Sequence, residues 1–310
     1  KHFLFKTKFE FDIDTILKIT IKYDNCELFQ ILLNLILFKS ITHQIDYQDK
    51  TFTVYKKDFT CFKIKNDIIN FSEFSNSKLL TELFQSISIP DLACYYGSLK
   101  ILKYLIYNSG WKKNNNKSVC LPTSSAYILA AAGKQFEVIK MLKGFNKTKN
   151  GIPALQWGEY TSVILAGWAN SSQLDWFKEN KGKFQIGMYK EAAKHENIEC
   201  LKWLEANNIT YDQRYNSVAE GYILSKNKEK IDILFIDTNR HYINYNLYDT
   251  IVITGNFELF MKFQQYIPLT HPHINLRILC NLAASRGYLC FIEYIITNTD
   301  TKWNGKFCTH

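Results

Sequence analysis

Histidine and cysteine are the residues of this sequence best suited to metal chemistry. His271 and His273 form the motif HPH, Cys280 follows them, and Cys308 and His310 lie in the final CTH. A zinc site takes four such ligands at short, regular spacings. These residues are scattered instead, and Cys280 falls in the apolar stripe of a predicted helix. The sequence therefore predicts no metal site and no cofactor.

Catalytic motifs are also missing from the sequence. It contains no glycine-rich phosphate loop, no nucleophile elbow and no HExxH. Asp12 and Asp14 precede an apolar run, where paired acids favour a helix N-terminus. His195 falls in a predicted turn between two helices, which favours a structural role. We predict that the protein is not an enzyme.

Lysine is concentrated in one segment. The formal net charge is +9, and residues 101–150 hold nine lysines against one acid, Glu137. Such a patch attracts acidic protein surfaces, anionic membranes or nucleic acid, although solvated loops of a lysine-rich chain are the simpler interpretation. Arginine, the usual reader of bases, occurs only four times, which weakens the nucleic-acid alternative. The candidate contacts lie in the two connecting segments: Lys112, Lys113, Lys117, Lys147 and Lys149.

A repeated apolar pattern must position these residues. Two apolar runs are separated by a turn of two or three residues, often with glycine. The second run of each copy begins at Leu28, Leu99, Phe136, Leu174, Ile198, Ile231, Phe257 or Leu289. Within IECLKWL, Ile198, Leu201 and Leu204 share a helix face. Each copy is predicted to be helix–turn–helix, and stacked copies would share a continuous core.

The spacing and composition of the copies resemble a known family. From Leu99 onward the steps average about 32 residues, a period typical of helical-repeat proteins. Ala-Ala recurs in the first run at 130–131, 192–193 and 283–284. The stretch AAKHENIECLKWL resembles the ankyrin repeat, in the divergent form common in social amoebae and giant DNA viruses.

The copies depart from regular ankyrin repeats in two respects. The Thr-Pro-Leu-His lead-in, which orders the turn before the first helix, is replaced, for example by GMYK at 187–190. The steps that follow Leu174 and Ile231 are also shorter than the others. These short steps predict uneven stacking around 173–257.

The resemblance implies a fold and a domain organisation. It covers residues 16–33 weakly and 90–304 well, and it implies an all-α, ankyrin-like helical-repeat solenoid over residues 89–310. Residues 1–88 are predicted to form an irregular N-terminal cap: a degenerate repeat, a short β-hairpin within 51–65 and a lone helix after Ser77. An independent small domain is the alternative for this region.

Aromatic residues between the copies divide into two groups. Trp111, Tyr211 and Trp303 lie at nearly the same distance after the start of the preceding second run, which predicts that they fill gaps between neighbouring copies. The remaining aromatic residues lack that regularity. They are candidate partner contacts, since aromatic anchors dominate the binding energy of interfaces. Burial beneath a loop is the alternative for this group: Trp157, Tyr242, Tyr245 and Tyr248.

Cysteine usage and hydropathy bear on the compartment. Eight cysteines include no CxxC pair, and Cys94, Cys200 and Cys290 lie in apolar helical runs, which favours buried free thiols in the reducing cytoplasm. The longest apolar run, residues 28–38, is shorter than the roughly 20 residues of a spanning helix.

Together these features predict a non-catalytic protein-binding scaffold or adaptor whose partner is a protein. Two alternatives remain open. The lysine-rich segment 101–150 would recruit the protein electrostatically to nucleic acid or anionic membrane, or the chain would be a structural subunit of a large assembly.

Overall fold

Helices dominate the described part of the chain, which confirms the all-α prediction. The computed structural model describes residues 13–32, 63–65, 80–81, 86–108, 122–123, 125–145, 155–158, 160–209, 211, 213–235 and 243–299. The chain forms two compact units, Lys1–Thr161 and Ser162–His310. None of the described helices has the length and apolar character needed to span a lipid bilayer.

The described helices come in eight successive pairs. Pairs 1 to 3 are α1 (Ile13–Lys22) with α2 (26–32), α3 (Ile89–Tyr96) with α4 (Leu99–Asn108), and α5 (Ala126–Ala132) with α6 (Phe136–Phe145). Pairs 4 to 6 are α7 (Thr161–Ala166) with α8 (Ser171–Glu179), α9 (Gly187–Lys194) with α10 (Ile198–Ala206), and α11 (Arg214–Ser225) with α12 (Lys228–Ile233). Pairs 7 and 8 are α13 (Leu247–Thr254) with α14 (Phe257–Gln264), and α15 (Leu276–Ser285) with α16 (Leu289–Asn298).

First helices of successive pairs pack side by side. In the N-terminal unit α1 packs on α3 and α3 on α5, and in the C-terminal unit α9, α11, α13 and α15 pack in that order. The second helices α8 and α10 also pack together. In both units, first helices of neighbouring pairs thus share packed surfaces.

The turn within each pair has one recurring backbone conformation. In seven of the eight described pairs, the residue directly before the N-cap of the second helix adopts positive φ: Asp24, Gly97, Lys134, Glu196, Lys226, Gly255 and Gly287. The following residue is often an asparagine whose side-chain oxygen accepts from a backbone N–H in the first turn of the second helix, as at Asn25, Asn197, Asn227 and Asn256. Pair 4 has a longer turn, and its cap is Asn170.

These caps correct the predicted spacing. Leu174 and Ile231 lie inside α8 and α12, which begin at Ser171 and Lys228. The starts of the second helices are therefore more evenly spaced than the apolar residues indicate. The step from Ser171 to Ile198 is still the shortest between second-helix starts, so the short spacing at this place remains.

One position of the first helix is buried in nearly every pair. The residue three before the positive-φ residue is at most 2% exposed in six pairs: Ile21, Cys94, Ala131, Ala193, Ile223 and Val252. The helices α9 and α11 approach each other closely. A Cβ added to Gly221 would overlap the carbonyl oxygen of Lys190 and lie 2.5 Å from Ala193 Cβ. The small residues thus set the distance between these two helices.

The first described pair is part of this stack. Asp24 accepts hydrogen bonds from Lys100 N at 3.1 Å and Ile101 N at 3.0 Å, at the start of α4, and the Ser98 hydroxyl donates to Ile21 O. Pair 1 therefore packs directly on pair 2, although more than fifty residues separate them in sequence. The predicted boundary between residues 88 and 89 lies within the compact unit Lys1–Thr161 and stays a prediction.

The structure describes only the last three residues of the predicted hairpin segment, 51–65. Strand β1 (Lys63–Lys65) pairs antiparallel with β2 (Ser86–Ser88), with Ile64 opposite Ile87. Residues 51–62 and Ser77 lie outside the described residues. The described β-structure thus joins two distant segments, and it leads directly into α3.

A buried carboxylate joins pair 2 to the segment that leads into pair 3. Ser88 caps α3, and its hydroxyl donates to Asp91 Oδ2 at 2.7 Å. Thr123 donates its N–H to Asp91 Oδ1 and its hydroxyl to Oδ2, both at 2.8 Å. Burial raises the pKa of Asp91 above its ordinary value of 3.8, and the hydrogen bonds from Ser88 and Thr123 offset part of that rise.

We expect Gly221→Ala to destabilise the protein by about 1–3 kcal/mol because the added methyl group meets backbone atoms of α9. Helix propensity alone would give a gain of up to about 1 kcal/mol. Gly144→Ala in α6 is the control, since a Cβ there meets nothing within 4 Å. Urea unfolding followed by circular dichroism measures both variants. A Gly221→Ala protein as stable as the Gly144→Ala protein would contradict the close packing.

The buried Asp91 leads to a second prediction, which concerns how the stability of the protein depends on pH. Because its pKa is raised in the folded state, the unfolded chain ionises first, and stability falls as pH rises from about 3.8 through the raised value. Asp91→Asn should remove this fall, since the Ser88 and Thr123 hydroxyls can accept from the amide. Asp91→Ala should cost about 2 kcal/mol at neutral pH because the donors of Thr123 are left unpaired. An unchanged pH slope of the unfolding free energy in Asp91→Asn would refute this.

Candidate partner-binding surface

Three aromatic rings from two connecting segments form a cluster in the C-terminal unit. Tyr245 precedes α13, and His271 and His273 lie in the segment between α14 and α15. The Tyr245 ring centroid is 5.3 Å from that of His271, with the rings inclined by only 21°, and 5.2 Å from that of His273. The two histidine rings are 5.5 Å apart. We call these three residues the Tyr–His cluster.

Local turns hold the Tyr–His cluster in place. Tyr245 O accepts from Tyr248 N at the start of α13, and His271 lies in a turn in which its N–H donates to Pro268 O at 2.9 Å. The backbone N–H of His273 donates to His271 Nδ1 at 3.4 Å. Tyr245 and His271 are half-buried and His273 is exposed. The cluster therefore presents a preformed aromatic surface to solvent.

The two histidines of this cluster belong to no larger group of metal-ligating side chains among the described residues. Zinc takes three or four protein ligands, and nowhere in the described ranges do three or more His, Cys, Asp or Glu side chains come together as a metal group. Cys280, which follows the HPH motif, is 2% exposed and belongs to the apolar core of the C-terminal unit. Stacked rings of this kind bind apolar groups and cations of a partner.

The candidate tyrosines have different positions. Tyr248 is 1% exposed, contacts Phe260 and Phe263 edge-on, and donates its hydroxyl to Ile267 O at 2.5 Å. Burial raises the pKa of Tyr248. The expectation that Tyr248 is an exposed contact was wrong, because it lies on the buried face of α13. Tyr242 lies outside the described residues.

Trp157 lies in the N-terminal unit on a second aromatic group. Its ring is 4.3 Å from that of the fully buried Tyr127, and Lys143 Nζ lies 4.8 Å from the Trp157 ring centroid. Trp157 is half-buried. One of its ring partners is thus a core residue of α5 and the other is a cation of α6. The arrangement offers a partner only part of the indole surface.

The predicted lysine contacts, Lys112, Lys113, Lys117, Lys147 and Lys149, lie outside the described residues and stay predictions. Among the described lysines of residues 101–150, Lys103, Lys134 and Lys140 are exposed. Lys140 forms an ion pair with Glu137 at 2.9 Å.

Two further predicted roles are structural. Tyr211 donates its hydroxyl to Phe184 O at 2.9 Å and packs edge-on against Tyr189, so it fills a gap between connecting segments, as its offset predicts. Trp111 and Trp303 lie outside the described residues.

His195 Nε2 lies 3.0 Å from Oε1 of Glu191, whose side chain is buried. Glu191 directly precedes Ala192 and Ala193, and nothing else in the sequence indicates that it is buried.

The described cysteines are free, and Cys94, Cys200 and Cys280 are buried. Burial raises the pKa of Cys94 well above its ordinary value and that of Cys200 to about 12. A thiolate nucleophile requires the opposite shift. Cys290 is exposed, which corrects the prediction that it is buried.

Comparison with known proteins adds no family. No family model, curated protein or solved structure matches this chain. The ankyrin resemblance therefore stands on the residues quoted above.

Sequence reasoning selected Tyr245 but missed its histidine partners. His271 and His273 were considered only as metal ligands, because sequence does not reveal which connecting segments meet. The available signal was their position, because both histidines lie shortly before the first helix of a pair, as Tyr245 does.

We expect Tyr248→Phe to lower the unfolding free energy by about 1–2 kcal/mol, because Ile267 O loses a buried hydrogen-bond donor. Tyr245→Phe should change stability by less than about 0.5 kcal/mol, since it keeps the ring and the surface position. Urea titrations of the two variants make the comparison. Equal effects would contradict the assignment of Tyr248 to the core and Tyr245 to the surface.

Proposed function

We propose that the protein is a non-catalytic, ankyrin-like helical-repeat scaffold that binds a protein partner through its connecting segments. The observation that carries the proposal is the Tyr–His cluster. Two successive connecting segments contribute rings to one exposed surface, while the first helices beneath them are packed in series. A rigid stack that displays loop residues is a typical recognition surface.

The chemistry of the described residues supports binding over catalysis. The buried thiols have raised pKa values, and the His195–Glu191 contact is built into a turn of the repeat. Ring stacking is energetically significant when a partner covers it, because a few buried aromatic residues carry most of the binding energy of an interface. The partner surface that fits the cluster is apolar or carries an arginine that can stack on a ring.

The lysine-rich segment supports a second candidate function. Nine lysines against one acid in residues 101–150 would draw the protein to nucleic acid or anionic membrane. Phosphate-backbone binding weakens steeply with salt, whereas binding to stacked rings changes little. Salt dependence therefore separates the two functions. The third alternative, a structural subunit of a large assembly, predicts aggregation of the isolated chain.

Quantitative capture from native lysate tests the proposal. The chain is immobilised, lysate is treated with nuclease, and proteins retained at low and high salt are measured by mass spectrometry. We expect the double variant Tyr245→Ala/His273→Ala to lose at least tenfold of one discrete partner, in line with a hot spot of about 2 kcal/mol. Tyr266→Ala is the matched control, an exposed tyrosine of the same compact unit outside the cluster.

Each outcome favours one function. Loss of the partner in the double variant but not in Tyr266→Ala supports the scaffold proposal. Equal capture by both variants refutes a role for the cluster. Capture that disappears with nuclease or high salt refutes the scaffold proposal and favours the lysine-rich segment.

A further inference from the structure

Charged residues occupy equivalent positions of three successive first helices in the C-terminal unit. Each lies six residues before the positive-φ residue of its pair: Lys190 in α9, Glu220 in α11 and Asp249 in α13. Lys190 Nζ lies 2.7 Å from Glu220 Oε2, and Asn216 Nδ2 donates to Glu220 Oε1 at 2.9 Å. Both carboxylate oxygens of Glu220 therefore have a partner within the chain.

Asp249, the third member of this row, has no such partner. Within the described ranges its side chain makes no hydrogen bond and no ion pair, and it reaches solvent. Partial burial raises the pKa of Asp249 above its ordinary value of 3.8, and the nearby charge of Glu220 raises it further. The equivalent residue of α15 is the uncharged Asn281. Asp249 thus presents a carboxylate to which no described residue supplies a cation.

Asp249 lies one helical turn after Tyr245 of the Tyr–His cluster. The turn that precedes α13 is already helical, since Asn246 has φ −66° and ψ −19° and Tyr245 O accepts from Tyr248 N. Side chains four residues apart on a helix lie on the same side, with about 5–6 Å between their Cβ atoms. The Tyr245 ring and the Asp249 carboxylate therefore share one surface.

The same unit contains this arrangement with its cation in place. Asp232 and Phe235, three residues apart at the end of α12, both contact Lys262 of α14. Lys262 Nζ lies 3.0 Å from Asp232 Oδ1 and 4.3 Å from the Phe235 ring centroid. A carboxylate and an aromatic ring thus hold one cation between them. At Tyr245 and Asp249 the ring and the carboxylate are present, and the described residues leave the place of the cation open.

We propose that an arginine of the protein partner takes this place, with its guanidinium stacked on the Tyr–His cluster and paired with Asp249. The inference rests on the proposed function, because it names the partner group that the cluster binds. Charge complementarity selects a cation, since an acidic group here would meet the negative charges of Asp249 and Glu220.

Arginine fits the two parts of this site better than lysine does. Its guanidinium is planar, so one face can lie on an aromatic ring while the N–H groups at its edge donate to a carboxylate. A lysine ammonium is a compact, strongly hydrated charge with no plane to stack on a ring. The stacked rings and the single carboxylate therefore specify the partner residue by shape as well as by charge.

Random dodecapeptides displayed on phage provide the probe. The library is selected on the full 310-residue chain, and the affinities of selected peptides are measured by fluorescence anisotropy. The wild type is compared with Tyr245→Ala/His273→Ala, with Asp249→Asn and with the control Glu258→Gln. Glu258 is an exposed acid in the first turn of α14, in the same helix pair as Asp249. Circular dichroism and thermal midpoints verify that each variant is folded.

We expect the peptides that require the Tyr–His cluster to share an arginine. Asp249→Asn should weaken their binding by about tenfold or more, the loss typical of a hydrogen bond to a charged group, and replacement of the peptide arginine by glutamine should do the same. Because each change removes the same interaction, the two losses should not add when they are combined. Replacement of the arginine by lysine should also weaken binding, since stacking is lost. Glu258→Gln should keep affinity within about twofold.

The outcomes separate this inference from the proposed function. Cluster-dependent peptides that share an arginine and show non-additive losses support both. Cluster-dependent peptides that lack an arginine, or that bind Asp249→Asn as tightly as the wild type, overturn the inference and leave the proposed function standing. Losses that add have the same meaning. A selection that yields no cluster-dependent peptide contradicts both.

Discussion

A pair of short helices has too little apolar surface to bury by itself, and every other feature of this chain depends on that constraint. The described helices are six to twelve residues long, which is marginal for isolated helices in water. They persist because first helices pack against first helices of neighbouring pairs. Close approach requires small or well-fitted side chains at the contact, and this explains both the Ala-Ala motif and Gly221 between α9 and α11.

Bringing helices together also brings turn backbone together, and its polar groups need partners. The chain meets this need with side chains that act across pairs. Asp24 accepts from the start of α4, Asn197 donates to carbonyls of the preceding turn, and Asp91 holds the Thr123 segment. The Thr-Pro-Leu-His motif of regular ankyrin repeats is absent from this sequence, and here other polar residues link neighbouring pairs.

The connecting segments are less constrained, and this is where binding residues can vary. Tyr245 and Tyr248 are three residues apart, yet one stacks on two histidines at the surface and the other fills the core. The difference follows from the start of α13 between them, since successive residues of a helix point in different directions and Tyr248 falls on the buried side. The proposed scaffold role depends on the first tyrosine, and stability depends on the second.

Part of this architecture was determined by the sequence alone. The helical class, the pairing of helices and most helix positions follow from apolar periodicity and Ala-Ala, because these patterns report which faces must be buried. The starts of α8 and α12 also had a sequence signal in Asn170 and Asn227, since a cap residue defines a helix start more sharply than apolar residues do.

Only the tertiary structure decided which distant segments meet. The contact of Asp24 with α4, the pairing of Ile64 with Ile87 and the stacking of Tyr245 on His271 join residues more than twenty positions apart. Such contacts depend on how the pairs stack, and stacking is determined by the fit of whole surfaces, which a local pattern of residue types does not encode.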